Sequence, residues 1–114
     1  MTRQSDIQRR RLEDLEPEFC LALPRLLSQC AAGRWGLFGQ NERIGERNWW
    51  YWREAEDLKS MARNIQSIRH NFGQPNPLVE RFLYYCSLRG PNVLGEPRLA
   101  QVFLDEIKAG LPAS

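Results

Sequence analysis

From Tyr51 onward apolar residues recur at Ala55, Leu58, Met61, Ala62, Ile65, Ile68 and Phe72, mostly three or four positions apart. An α-helix stacks such positions along one side, because 3.6 residues complete a turn. Arg53, Glu56, Asp57, Lys59, Arg63 and Arg69 fall mostly on the remaining surface. Asn48 is a good N-cap, and Gly73 can close the helix in the left-handed conformation. A helix over residues 48–72 would be about 36 Å long at 1.5 Å per residue, the length of a whole small domain. The rest of the chain has to pack around it.

The flanking segments read as helices too. Ser5 and Gln8 have the spacing of a capping box, which predicts a short helix over Asp6–Asp14. Pro17 suits the first turn of a second helix, about Glu16–Ala32, whose apolar side is Phe19, Leu23, Leu26, Leu27 and Cys30. Pro24 would bend that helix near its middle, and Gly33 would end it. Asn76-Pro77 announces another helix, with Leu78, Val79, Phe82, Leu83 and Cys86 on its apolar face and Gly90-Pro91 at its end. Pro97 opens the last, in which Leu99, Val102, Phe103 and Ile107 face inward before Gly110. No stretch alternates like a strand. The expectation is an all-α fold: an irregular bundle of four to five helices around the long central helix (about 48–72), with a long Gly/aromatic loop over 33–47. Residues 1–114 form a single helical domain, frayed at 1–4 and 111–114.

Composition bounds the function. With 114 residues and a net charge of +2, the chain is one-domain sized and far less basic than a dedicated nucleic-acid binder. Cys20, Cys30 and Cys86 are odd in number and widely spaced, unlike a secreted disulfide scaffold. The charged start lacks a signal peptide's apolar core, and no run is long enough to span a membrane. A cytoplasmic protein without a membrane partner is expected.

Placed chemistry is hard to find. His70 is the single histidine, and the cysteine spacings fit no zinc site. Neither a metal nor a cofactor is expected, and no catalytic residue is assigned. A Cys–His pair between His70 and Cys86 is conceivable, but each has an ordinary role: the thiol as a small hydrophobe, the imidazole as a helix C-terminal partner of the dipole. The glycines at 33, 36 and 39 do not make a phosphate-binding fingerprint, for no strand precedes them.

Three surfaces remain. Residues 33–52 hold all four tryptophans and four of the eight glycines. Their aromatic groups either close the core or meet a partner, and consecutive positions on a helix cannot all face one way. Arg34, Trp35, Leu37, Phe38, Trp49, Trp52 and Arg53 are therefore the candidate contacts of a non-catalytic protein acting through a protein partner or self-association. Alternatively, Arg63, Arg69, Arg81, Arg89 and Arg98 would form a basic strip for a nucleic acid. Thirdly, the tryptophans would line a small-molecule or enzyme pocket with Arg34 or Arg53 at its mouth.

Overall fold

A computed structural model describes residues 2–32, 45–88 and 96–111, with side chains described from residue 6 in the first helix and from residue 53 in the second. The regular elements among these residues are all helices: α1 (Thr2–Ala31), α2 (Gly45–Phe72), α3 (Pro77–Ser87) and α4 (Pro97–Ala109). The loop expected over 33–47 lies outside the described residues from 33 to 44. So do Gly90-Pro91 and the ends at residues 1 and 112–114.

The first correction concerns α1, which is one helix of 30 residues with Pro17 and Pro24 inside it. The two helices expected over Asp6–Asp14 and Glu16–Ala32 are joined. An interior proline costs about 3 kcal/mol through its lost N–H and its clash with the preceding turn. Against this, Leu12, Phe19, Leu23, Leu26, Leu27 and Cys30 are buried along one continuous stripe, with Leu15 packed beside them. A break at Pro17 would take Leu12 and Leu15 off that stripe, and each large buried side chain is worth about 1.5–3 kcal/mol. Burial outweighs the local rule.

The second correction is the start of α2 at Gly45, three residues before the expected cap. Asn48 thus lies within the helix. Glu46 and Arg47 are good helix formers, and an acid in a first turn suits the helix dipole, so nothing halts the helix at Asn48. The other end is as expected: Gly73 takes φ +73°, and its amide donates to the His70 carbonyl at 3.3 Å. Asn76 then caps α3, its Oδ1 accepting from the amides of Leu78 (3.0 Å) and Val79 (3.2 Å).

Long-range contacts order the helices. Arg9 stacks over the Phe72 ring at 5.5 Å, and Arg69 pairs with Glu16 at 2.6 Å, so α1 and α2 run antiparallel. Gln66 donates to Glu80, and the Cys86 thiol lies in the field of Lys59 and Arg63, which sets α3 antiparallel to α2. Tyr85 meets Phe103 with ring centroids 4.7 Å apart, and Arg81 pairs with Glu106 at 2.8 Å, so α4 reverses again. α4 also packs along α1, and all four helices feed one core. At its centre Phe19 and Phe82, both fully buried, meet edge to face at 5.5 Å. Along α4 the buried residues are Ala100, Phe103 and Leu104. Val102, expected inward, is 49% exposed, because it sits about 200° around the helix from Ala100.

The register has a consequence at the other end of the pair. Counting from Glu16 opposite Arg69 at equal rise, Ala31 stands level with about Glu54. Cys86 near Lys59 and Arg63 likewise ends α3 about level with Lys59 or Ser60. The first two turns of α2, about 12 Å of helix, therefore run past the ends of both described neighbours.

Phe19→Ala is expected to cost about 3–5 kcal/mol in urea unfolding. Leu21→Ala, at a site 74% exposed, should stay within about 0.5 kcal/mol. Equal effects at the two positions would contradict the stripe.

Candidate functional site

The last three turns of α2 alternate two kinds of residue. Ala62, Ile65 and Ile68 turn into the core, while Arg63, Gln66, Ser67, His70 and Asn71 recur at helical spacing on the opposite side. Gly73 reverses the chain, Gln74 and Pro75 form the turn, and the Asn76 cap starts α3. Between α2 and this turn lies an open cleft of about 670 Å³, lined by those polar residues together with Arg69, Gly73, Gln74, Pro75 and Glu80. Its residues are close in sequence and converge because the turn folds α3 back along α2.

The charges in and beside the cleft are unequally committed. Arg69 donates through Nε (3.0 Å) and Nη2 (2.6 Å) to the two oxygens of Glu16. Asn76 Nδ2 donates to the same carboxylate at 2.6 Å. Burial alone would raise the Glu16 carboxyl. The hydrogen bonds from Arg69 and Asn76, with the Arg69 charge, more than offset it and leave its pKa below the ordinary value. The same hydrogen bond raises the Arg69 guanidinium further, against its own desolvation. On α3, Gln66 Nε2 holds Glu80 at 3.0 Å. Arg63, Ser67, His70, Asn71 and Gln74 make no side-chain hydrogen bond to another described residue. That wall has unspent donors and acceptors.

Two members of the expected basic strip are already paired within the chain. Arg69 is tied to Glu16. Arg81 pairs with Glu106 and lies over the rings of Tyr84 and Tyr85 at 5.1 and 5.2 Å, while the Tyr85 hydroxyl also donates to Glu106. Arg63 is exposed in the cleft and Arg98 is exposed at the start of α4. Arg89 lies outside the described residues. Of the aromatic candidates, Arg34, Trp35, Leu37 and Phe38 lie outside them as well, and for Trp49 and Trp52 only the helical backbone is described. Arg53 is exposed on the first described turn of α2 side chains.

The conceivable Cys–His pair finds no support. Burial pushes the Cys86 thiol up to about 11, against the opposing charges of Lys59 and Arg63. Burial pushes Cys30 up to about 12. Both are held as thiols, the poorly reactive form. Among the described residues no His, Cys, Asp and Glu side chains gather as a metal site, and no described helix is long and apolar enough to cross a membrane. Sequence spacing misses Gln66, Ser67, Asn71, Gln74 and Glu80 as a site. Its only trace is a neutral polar stripe opposite the apolar one. The chain matches no known protein family, no curated protein and no solved structure.

Two outcomes follow from these groups. Because the folded-state pKa of Glu16 is depressed, its stabilising contribution is fully present above the ordinary value of 4.5 and is lost as pH falls through the lower folded value. Glu16→Gln should cost about 1–3 kcal/mol at pH 7, by the loss of charge-assisted hydrogen bonds. The gap between mutant and parent should narrow below pH 4 in denaturant titrations; a constant gap would contradict the linkage. In iodoacetamide labelling at pH 8, exposed Cys20 should react first and buried Cys30 only on unfolding. Mass spectrometry of the labelled peptides decides this order.

Proposed function

We propose that this chain is a small, non-catalytic helical protein of the cytoplasm that acts through protein–protein contacts, as a regulatory or adaptor-like subunit, with residues 33–52 as its contact segment. The supporting observation is the overhang of α2. Its first two helical turns pass beyond Ala31 of α1 and Ser87 of α3, and their sequence includes Trp49, Trp50, Tyr51 and Trp52. Aromatic residues on a rigid support are the groups that most often carry binding energy. In this reading the helices form one irregular bundle with α2 as its spine, and Trp35, Leu37 and Phe38 belong to the same contact segment of the sequence.

A non-catalytic role agrees with the state of the described thiols, since Cys30 and Cys86 are held protonated. The nucleic-acid alternative loses weight because Arg69 and Arg81 are each neutralised within the chain. A binding protein needs no cofactor.

The test is capture of partners by the full chain, alongside light scattering across a concentration series. Trp35→Ala and Trp49→Ala should each weaken the captured complex or the self-association roughly thirtyfold, the scale of a 2 kcal/mol hot spot. Arg98→Ala should leave it unchanged. Loss of the complex in Arg98→Ala with retention in both tryptophan variants would overturn the assignment. So would a protein that stays monomeric and retains no partner.

A further inference from the structure

We propose that the outward face of α1 around Leu21 pairs with the same face of a second copy of this chain, the two helices lying antiparallel across a two-fold axis. This surface is separate from the tryptophan segment and lies on a different helix, so it goes beyond the contact role above.

The face is apolar on the side of α1 that the core does not use. Leu21 is 74% exposed. It lies nine positions from both Leu12 and Cys30, two and a half helical turns, so it points directly away from the buried stripe. Pro17 and Pro24 lie about 40–60° to one side of Leu21, and Glu18 and Arg25 about 40–60° to the other. Pro17, Glu18 and Arg25 are exposed, and Pro24 is half-buried. The members of each pair stand about 10 Å apart along the helix axis, with Leu21 between them.

Charge selects the occupant. Glu18 and Arg25 make no ion pair with another described residue, and their own helix offers them none. Three and four positions from Glu18 stand Asp14, Leu15, Leu21 and Ala22; from Arg25, Leu21, Ala22, Ser28 and Gln29. A two-fold axis through the contact reverses the helix direction but keeps each flank on its own side. With the axis at the level of Leu21, Glu18 of one copy meets Arg25 of the other, and the pair is made twice. Pro17 meets Pro24 in the same way on the opposite flank, and the two Leu21 side chains meet between them. Asp14 falls opposite Ser28 or Gln29, so among the described residues no like charges face each other. A parallel arrangement would set Glu18 against Glu18 and Arg25 against Arg25, which charge repulsion disfavours. One helix face buries less than the roughly 1,200 Å² of a stable interface, so the dimer is weak and reversible. At the micromolar concentrations of an unfolding experiment the chain is monomeric.

Sedimentation equilibrium of the full chain from about 20 µM to 2 mM measures the dimer, and amide NMR shifts over the same range map it. Self-association should rise with concentration, with shifts confined to residues 14–28. Glu18→Arg and Arg25→Glu each bring like charges together twice and should weaken the dimer at least about tenfold. The double variant E18R/R25E should restore it. So should an equimolar mixture of the two single variants, in which both pairs are again opposite in sign. Both positions are exposed, so far-UV circular dichroism should not change. A chain that stays monomeric at the top of the range, or single variants that associate as the parent does, would overturn the proposal. A mixture no tighter than its components, or shifts centred on α3 and α4, would do the same. Trp49→Ala should leave this dimer intact while weakening partner capture, so the two ideas fail separately. A dimer lost in Trp49→Ala and kept in both charge variants would assign the self-association to the tryptophan segment instead.

Discussion

One carboxylate ties three parts of the chain together. Glu16 sits midway along α1, Arg69 on the last turn of α2, and Asn76 at the cap of α3, and all meet within hydrogen-bond distance. Asn76 uses both ends of its amide: Nδ2 donates to Glu16, and Oδ1 accepts from the first amides of α3. The start of α3 is thus fixed to α1 rather than only to its own sequence. Half-buried ion pairs add little when isolated, but the geometry here is bidentate and shared, which sets register between helices. With register set, Phe19 meets Phe82, and Tyr85 meets Phe103.

The same knot shapes the surface. By occupying Arg69 it removes a cation from the cleft, and by positioning the turn it brings Gln74 and Glu80 opposite α2. The Arg81–Glu106–Tyr85 cluster does the corresponding work between α3 and α4. The charges of Arg69, Glu16, Arg81 and Glu106 are therefore spent on holding helices in place. Arg63 makes no ion pair or side-chain hydrogen bond with another described residue.

What was legible in the sequence was local. Asn76-Pro77, Gly73 and Gly110 signal their turns through backbone preferences that hold in almost any context, and the apolar spacing of α1 to α4 names most of the core. Pro17 misleads because the residue that begins a helix well can also sit inside one when burial on both sides repays it. Val102 misleads because a β-branched residue beside Phe103 looks apolar enough to face in, and only the position of α1 and α3 decides which arc is covered. The cleft was not legible at all. Arg69 and Glu16 are 53 positions apart, and no spacing rule says that one cancels the other.

The prolines of α1 leave one more trace. Pro17 and Pro24 are seven residues apart, so they stand nearly one above the other, and both lie well around the helix from the stripe of Phe19 and Leu23. The amides they lack would have bonded to the carbonyls of Glu13 and Cys20, and both those residues are exposed. Water can therefore take the place of each missing donor. The ladder of α1 is thinned on its outer side alone, while the side that grips α2 and α4 keeps its full set of bonds. Loosened bonds on the solvent side let a helix curve around what it covers. Two residues that seem to threaten the longest helix instead give it a compliant back and a firm front.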